Sequence, residues 1–356
     1  MLVMEPLKLM EAALPVAPVP TSPAMELVCP AGSLPALKAA VDHGANCVYL
    51  GLRDATNARN FAGLNFDEAS IASGIAYAHS HGCKVFMALN TYPQAANPGP
   101  WRSAVDKAVD MGLDAVILAD PGLMQYAAQH HPQLRLHLSV QGSATHYEAI
   151  NFYREQFGIV RAVLPRVLSM EQVRQVIDRT PVEIEVFGFG SLCVMVEGRC
   201  ALSSYVTGES PNTHGVCSPP KAVRWVETRE GRESRLNGVL IDRYAPGENA
   251  GYPTLCKGRF DVGDDENYYA IEEPTSLNTL ELLPQLLKMG VRAIKIEGRQ
   301  RSPAYVAQVT QVWREAMDQC LAHPHRYAPK TRWMASLDQV AEGQQHTLGA
   351  YHRPWK

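Results

Sequence analysis

Residues 84–120 read KVFMALNTYPQAANPGPWRSAVDKAVDMGLDAVILAD. Two short apolar runs, KVFMALN (84–90) and AVILAD (115–120), flank the amphipathic helical pattern PWRSAVDKAVDMG, which stops at Gly112. Strand, helix and strand in that order make a βαβ unit whose strands pair in parallel. The same rhythm extends in both directions. LVCP (27–30) and CVYLG (47–51) precede it, and RLHLSV (135–140), VRAVLP (160–165), VEIEVFG (182–188) and AIKIEG (293–298) follow. Helical patterns lie between, among them LPALKAAVDHG, stopped by Gly44, and SMEQVRQVIDRT, with Ser169 as N-cap and Glu171 and Gln172 in its first turn. Eight strands, each followed by a helix, predict a parallel TIM-like (β/α)8 barrel. An open doubly wound sheet is the alternative, and the eightfold count favours the barrel.

One interval breaks the rhythm. More than eighty residues separate Gly188 from TSLNTLELLPQLLKMG (275–290), which reads as the next helix. An ordinary βα loop has about 2–6 residues. The interval holds hairpin-like sequence, KAVRWVETREGRESRLNGVLIDRY, with a turn expected around GRES, and four cysteines: Cys193, Cys200, Cys217 and Cys256. Loops after strand C-termini form the active face of such barrels, so this insertion should rise beside the barrel mouth. The expected organisation is a disordered extension (1–24), a first barrel part (25–188), a cysteine-rich insertion (189–272), a last barrel part (273–325) and a C-terminal tail (326–356).

The formal net charge of −3, with no Lys/Arg block, lends no support to a nucleic-acid partner. Residues 1–24 carry five prolines and lack the basic start and apolar core of a signal peptide. No stretch reaches the ~18 apolar residues of a membrane span. A cytoplasmic location is expected, and there eight cysteines point to metal or redox use before disulfides. Cys29, Cys47, Cys83 and Cys320 sit in strand-like or helical runs and read as small buried hydrophobes. The other four are separated by six, sixteen and thirty-eight residues. No tight zinc knuckle is among them. Their spacing leaves open a four-cysteine iron–sulfur cluster, a zinc site and unliganded thiols.

Residues 185–203 carry Glu185, Phe187, Gly190-Ser191-Leu192-Cys193, Gly198, Cys200 and Leu202-Ser203. At each of these fixed positions the chain resembles the signature of the collagenase-like peptidase family, whose catalytic mechanism is undetermined. ANCVYLGL, ARNFAGLNF, AVILADPG, LSVQGSATH and IKIEGRQRSPAYVAQV extend the likeness over about residues 25–325. Within that family the chain is similar to the branch that hydroxylates the aromatic ring in ubiquinone biosynthesis without oxygen gas. The PTLCKGRFDV context of Cys256, and a chain that stops soon after the last barrel helix, carry that likeness. The resemblance implies that Cys193, Cys200, Cys217 and Cys256 bind a 4Fe-4S cluster. It also implies prephenate as oxygen-donor cosubstrate, a heterodimer with a UbiV-like barrel subunit, and a lipid-carrier accessory protein presenting the quinone precursor. RNA-base hydroxylation in the same family is the alternative. Peptidase chemistry and a purely structural scaffold fit less well: there is no HExxH, no GxSxG and no Cys/His arrangement beyond a lone His214 near Cys217.

The remaining candidates come from strand ends. In AIKIEGRQRS, Lys295 and Glu297 alternate with Ile294 and Ile296. The isoleucines suit the helix layer, which turns Lys295 and Glu297 inward. Arg299 lies just beyond, placed to clamp a carboxylate. Arg59 follows the second strand and Arg166 the sixth. Together these five are the expected substrate-binding residues, and Arg59, Arg166, Lys295 and Arg299 among them the expected carboxylate-binding cluster at the C-terminal face, opposite the insertion's cysteines. Gln141 and Asp120 are weaker candidates of the same kind, Asp120 doubling as an N-cap.

Overall fold

The computed structural model describes residues 25–193, 195, 200–211, 215–248 and 250–352. The expected extension 1–24, Gly198 of the signature and His214 lie outside the described residues. The first seven strands are β1 (Glu26–Pro30), β2 (Cys47–Leu50), β3 (Lys84–Leu89), β4 (Ala115–Leu118), β5 (Leu136–Leu138), β6 (Arg161–Val163) and β7 (Glu183–Ser191). Each pairs in parallel with the next. The connecting helices are α1 (Leu34–Asp42), α2 (Glu68–Ser80), α3 (Gly99–Asp110), α4 (Pro121–His130), α5 (Tyr147–Phe157) and α6 (Met170–Ile177). Their starts follow from local chemistry. Ser33 caps α1, Asp67 and Ser70 form a capping box on α2, Asp120 accepts from the Leu123 amide at α4, and Ser169 with Gln172 boxes α6.

After β7 the chain leaves the barrel. A short helix, α7 (Ala201–Thr207), leads to the antiparallel strands β8 (Val223–Thr228), β9 (Gly231–Leu236) and β10 (Val239–Tyr244). The hairpin pair β11 (Arg259–Val262) and β12 (Asp265–Tyr269) follows. The turn expected at GRES is displaced: Thr228 pairs with Gly231, so Arg229 and Glu230 turn the chain and GRES opens β9. Gly231, at φ +136°, takes a backbone shape that side chains disfavour, which fixes the turn there.

The run 275–290 is only partly the expected helix. Ser276–Asn278 form β13, antiparallel to the overrunning end of β7, with Leu277 opposite Gly190. The helix α8 (Leu283–Met289) starts with Pro284 in its first turn, where proline's missing N–H costs nothing. A free strand edge at the end of β7 overrides the helical pattern of the first residues. Then β14 (Ala293–Ile296) pairs in parallel with both β7 and β1 and closes the barrel. Ser302 caps the long helix α9 (Pro303–Ala322). Within 326–352, α10 (Thr331–Asp338) buries Trp333 and Leu337 against the core, and β15 (His346–Thr347) pairs with β13. The architecture is a closed eight-stranded TIM-like α/β barrel.

Strand residues alternate between two environments. Leu27, Val48, Val85, Val116, Ile184 and Ile294 pack against the helices. The inward set is apolar on one side, with Val28, Tyr49, Phe86 and Ile117, and ionic on the other. Arg161 is the hub of the ionic side. Its guanidinium lies 2.5 Å from Glu26, 2.7 Å from Glu183 and 3.4 Å from Glu185. Lys84 adds a 2.8 Å contact to Glu26, and Lys295 a 2.7 Å contact to Glu185. Burial alone would raise the Glu26 carboxyl, but Arg161 and Lys84 overcome it and hold the group at about 2, below its ordinary 4.5. A depressed carboxylate stabilises the fold above its unfolded value, and that contribution is lost as pH falls towards about 2. Arg161→Met leaves three carboxylates without their shared cation and should cost about 3–5 kcal/mol in urea unfolding at pH 7. The gap between variant and parent should narrow between pH 4.5 and 3. An unchanged urea midpoint at pH 7 would rule out the hub.

Candidate anion pocket at the barrel mouth

The C-terminal strand ends surround a cleft of about 610 Å³, open to solvent above. Arg59, Arg166, Lys295, Glu297 and Arg299 all line it. The five residues expected from strand ends are thus brought to one place. Val163 and Phe187 contribute an apolar wall, and Gln141 and Gln300 also face the space. Asp120 does not line the cleft and serves as the cap of α4.

Arg299 is the most unusual of them. The residue is 4% exposed, and its Nη1 donates to Asn57 Oδ1 at 2.7 Å. Its guanidinium also lies 5.7 Å from the Tyr49 ring centroid. Among the described residues no carboxylate comes within salt-bridge distance of it. Burial, with Arg59 adding, brings it down to about 10, so it remains a cation at neutral pH. Guanidinium carries five N–H donors, and a buried charge is costly unless paired. The fold makes room for it: a Cβ on Gly51 would lie 2.5 Å from Asn57 Cγ and 2.6 Å from Arg299 Nη1.

The other cations are matched. Arg166 donates to Glu297 at 2.8 Å and stacks 3.6 Å from the Phe187 ring centroid. Arg59 approaches Glu297 at 3.9 Å and donates to the Gly215 carbonyl at 3.2 Å. Lys295 points inward, as the alternation predicts, bound to Glu185 and 3.9 Å from the Tyr49 ring centroid. Burial pulls its ammonium below the usual lysine range, and Glu185 opposes that shift. Tyr49, anchored by its hydroxyl on the Ile296 carbonyl at 2.9 Å, is raised by burial.

Gly215 brings the insertion onto this rim, since a Cβ there would meet the Ala58 carbonyl at 2.0 Å. Two residues on, Cys217 lies in electrostatic range of Arg59, Glu297 and Cys200. Hydrogen bonds draw the cysteine-bearing segments together. Ser203 Oγ donates to the Cys217 carbonyl, Ser218 Oγ to Pro253 O at 2.5 Å, and the Tyr252 hydroxyl to Ser218 O at 3.0 Å. Cys256, pushed up to about 12 by burial, has Cys193, Cys217 and Cys200 among the charges acting on it. Among the described residues there is no disulfide, and no group of three or more His, Cys, Asp or Glu side chains is placed to hold a metal ion. Cys29, Cys47, Cys83 and Cys320 are buried.

Tyr49 and Asn57 were not singled out from the sequence. The inward alternation of Cys47 and Tyr49 could have flagged the tyrosine. Nothing local announces Asn57, whose partner lies 242 positions away. Gly51→Ala should disturb the Asn57–Arg299 contact and cost about 1–3 kcal/mol, read as a lower urea midpoint. A midpoint equal to that of the parent would contradict the packing described.

The peptidase family U32 model matches residues 32–354. The chain is similar to tRNA hydroxylation protein P of Escherichia coli (strain K12), 33% identical over 317 residues, covering 83% of this chain and 68% of that one. It is also similar to tRNA hydroxylation protein P1 of Bacillus subtilis (strain 168), 29% identical over 316 residues, covering 89% and 68%. A solved U32 peptidase structure aligns with a TM-score of 0.48 at 12% identity, over 80% of this chain and 96% of that one. No helix among the described residues is long and apolar enough to cross a membrane. The family match over most of the chain, and the relatives named for hydroxylation, lead to one conclusion: this chain belongs to the peptidase U32 family.

Proposed function

We propose that the barrel mouth binds a carboxylate-bearing cosubstrate and that the chain acts in oxygen-independent ring hydroxylation, as a UbiU-like subunit of the ubiquinone pathway. The observation that carries the reading is Arg299, a buried guanidinium facing the cleft with a single neutral hydrogen-bond partner among the described residues. An anion supplies the charge it lacks, and Arg presents a planar fork suited to carboxylate. Prephenate, with two carboxylates, is the proposed oxygen donor. Arg299 and Arg166 orient its carboxylates, while Val163 and Phe187 offer the apolar wall for its ring.

The cofactor belongs to the same proposal. Cys193, Cys200, Cys217 and Cys256 are the residues that would hold a 4Fe-4S cluster. Cys193, Cys217 and Cys200 all act electrostatically on Cys256, so the four thiols share one region, and four thiols without a tight zinc knuckle among them are compatible with such a cluster. When bound, such a cluster supplies one-electron chemistry beside the cleft. The UbiV-like partner and the lipid carrier rest on the family resemblance.

A second reading, hydroxylation of a tRNA base, is favoured by the names of the E. coli and B. subtilis relatives. Anaerobic growth of a deletion strain, with quinone intermediates and tRNA nucleosides profiled side by side, separates the two. Accumulation of an under-hydroxylated quinone precursor with normal tRNA supports the quinone reading. Normal quinone with a missing hydroxylated nucleoside replaces it with the tRNA reading. Within the strain, Arg166→Ala or Arg299→Ala should abolish hydroxylation while iron content stays at the parent level. Losing one partner of a desolvated charged contact costs about 2–5 kcal/mol. Cys193→Ala, Cys200→Ala, Cys217→Ala or Cys256→Ala should each remove the iron, whereas Cys47→Ala should not. Zinc in place of iron after anaerobic reconstitution would refute the cluster.

A further inference from the structure

Two polar groups in the cleft are left over by the anion reading, the side-chain amide oxygens of Gln141 and Gln300, and Gln141 is the more firmly placed. Gln141 is 4% exposed and lines the cleft, and its Oε1 is buried with no hydrogen-bond partner among the described residues. Its backbone, by contrast, is held on every side. The amide donates to Ser139 Oγ at 3.2 Å, and the carbonyl accepts from the Tyr92 hydroxyl at 2.8 Å and from Ser143 Oγ at 3.5 Å. The single 3-10 turn Val140–Gly142 that carries it is locked from both ends. A Cβ on Gly142 would meet Leu138 Cδ1 at 2.7 Å, and Ser143 adopts the left-handed region at φ 56°. The backbone therefore cannot shift to bring a partner to the side-chain oxygen. A buried acceptor without a donor costs free energy, so the site is built for a donor that arrives with the ligand.

The position of Gln141 says which part of the ligand supplies it. Gln141 follows β5 and Arg299 follows β14, three strands apart around an eight-stranded barrel. Between them, Val140 packs against the buried pair Val163 and Phe187. Cation, apolar wall and unpartnered amide thus follow one another round the mouth. We infer that Gln141 is a specificity-determining residue that accepts a hydrogen bond from a hydroxyl on the ligand, set across an apolar ring from the carboxylate that Arg299 binds. The inference deepens the anion-pocket reading and rests on it. A site that buries an acceptor for a hydroxyl discriminates against the analogue lacking it, because that analogue leaves the acceptor unpaired.

The test uses the full chain, purified anaerobically, and two probes that differ by one hydroxyl: 4-hydroxyphenylpyruvate and phenylpyruvate. Dissociation constants are measured by calorimetry for the parent, Gln141→Met, Gln141→Glu and Gln300→Met. Thermal melting of each variant checks folding. The parent should prefer the hydroxylated acid about tenfold or more. Gln141→Met should bind phenylpyruvate as the parent does and lose the preference. Gln141→Glu, which keeps an acceptor at that place, should retain the preference even if the added charge weakens both acids. Equal affinity of the parent for the two acids, or a preference that survives Gln141→Met, overturns the role of Gln141. A preference lost in Gln300→Met and kept in Gln141→Met does the same, since Gln300 Oε1 is also buried without a hydrogen-bond partner among the described residues. Failure of both acids to bind the parent overturns the anion pocket itself, and this inference with it.

Discussion

Arg161 holds three carboxylates from two sides of the barrel seam. Glu26 comes from β1, and Glu183 and Glu185 from β7, while β14 sits between those strands and contributes Lys295 to Glu185. The strand that closes the barrel is therefore tied in by charge as well as by its ladders. This arrangement replaces the layers of branched apolar side chains that usually fill such barrels on that side. Its requirement is strict. Ions removed from water are tolerable only if their partners are in place, so the inward residues of β1, β6, β7 and β14 must be registered together.

One consequence appears a turn above. With Lys295 committed to Glu185 and Glu297 committed to Arg166 and Arg59, the carboxylates near the mouth are spoken for. Arg299 is the cation for which the described residues provide a hydrogen bond but no carboxylate within salt-bridge distance, Glu297 acting on it only from farther off. The insertion adds its own constraint by laying Gly215 on Ala58, which brings the Cys217 segment to the rim beside Arg59. Thus two chemistries, an anion-seeking cleft and a set of converging thiols, share one edge of the barrel. Under the proposed function, that adjacency would set a small-molecule donor beside the cysteines.

Much of this was legible in the chain itself. All eight barrel strands are legible as short runs whose outward positions are apolar and pack on the helices, even where the inward positions of β1, β6, β7 and β14 carry charge. The inward direction of Lys295 and Glu297 followed from alternation with two isoleucines. Arg59, Arg166 and Arg299 followed from their places after strands. What failed was decided by distant neighbours. TSLN opens a run whose leucines follow a helical pattern, yet the open edge of β7 recruits Ser276–Asn278 as β13. The turn at Arg229 and Glu230 depends on where β8 and β9 register, which the repeated arginines and glutamates do not specify. Tyr49 lay within reach of the strand alternation, but Asn57 and the hydrogen bonds of Ser203 and Ser218 that gather the cysteine segments are tertiary facts with no local signature.

The central claim is that Arg299 awaits a carboxylate. A crystal structure of the anaerobically purified protein soaked with prephenate tests it most directly. The account predicts a carboxylate of the ligand hydrogen-bonded to the Arg299 guanidinium, with the ring against Val163 and Phe187. A well-ordered ligand bound elsewhere, with Arg299 still contacting only Asn57, would contradict it.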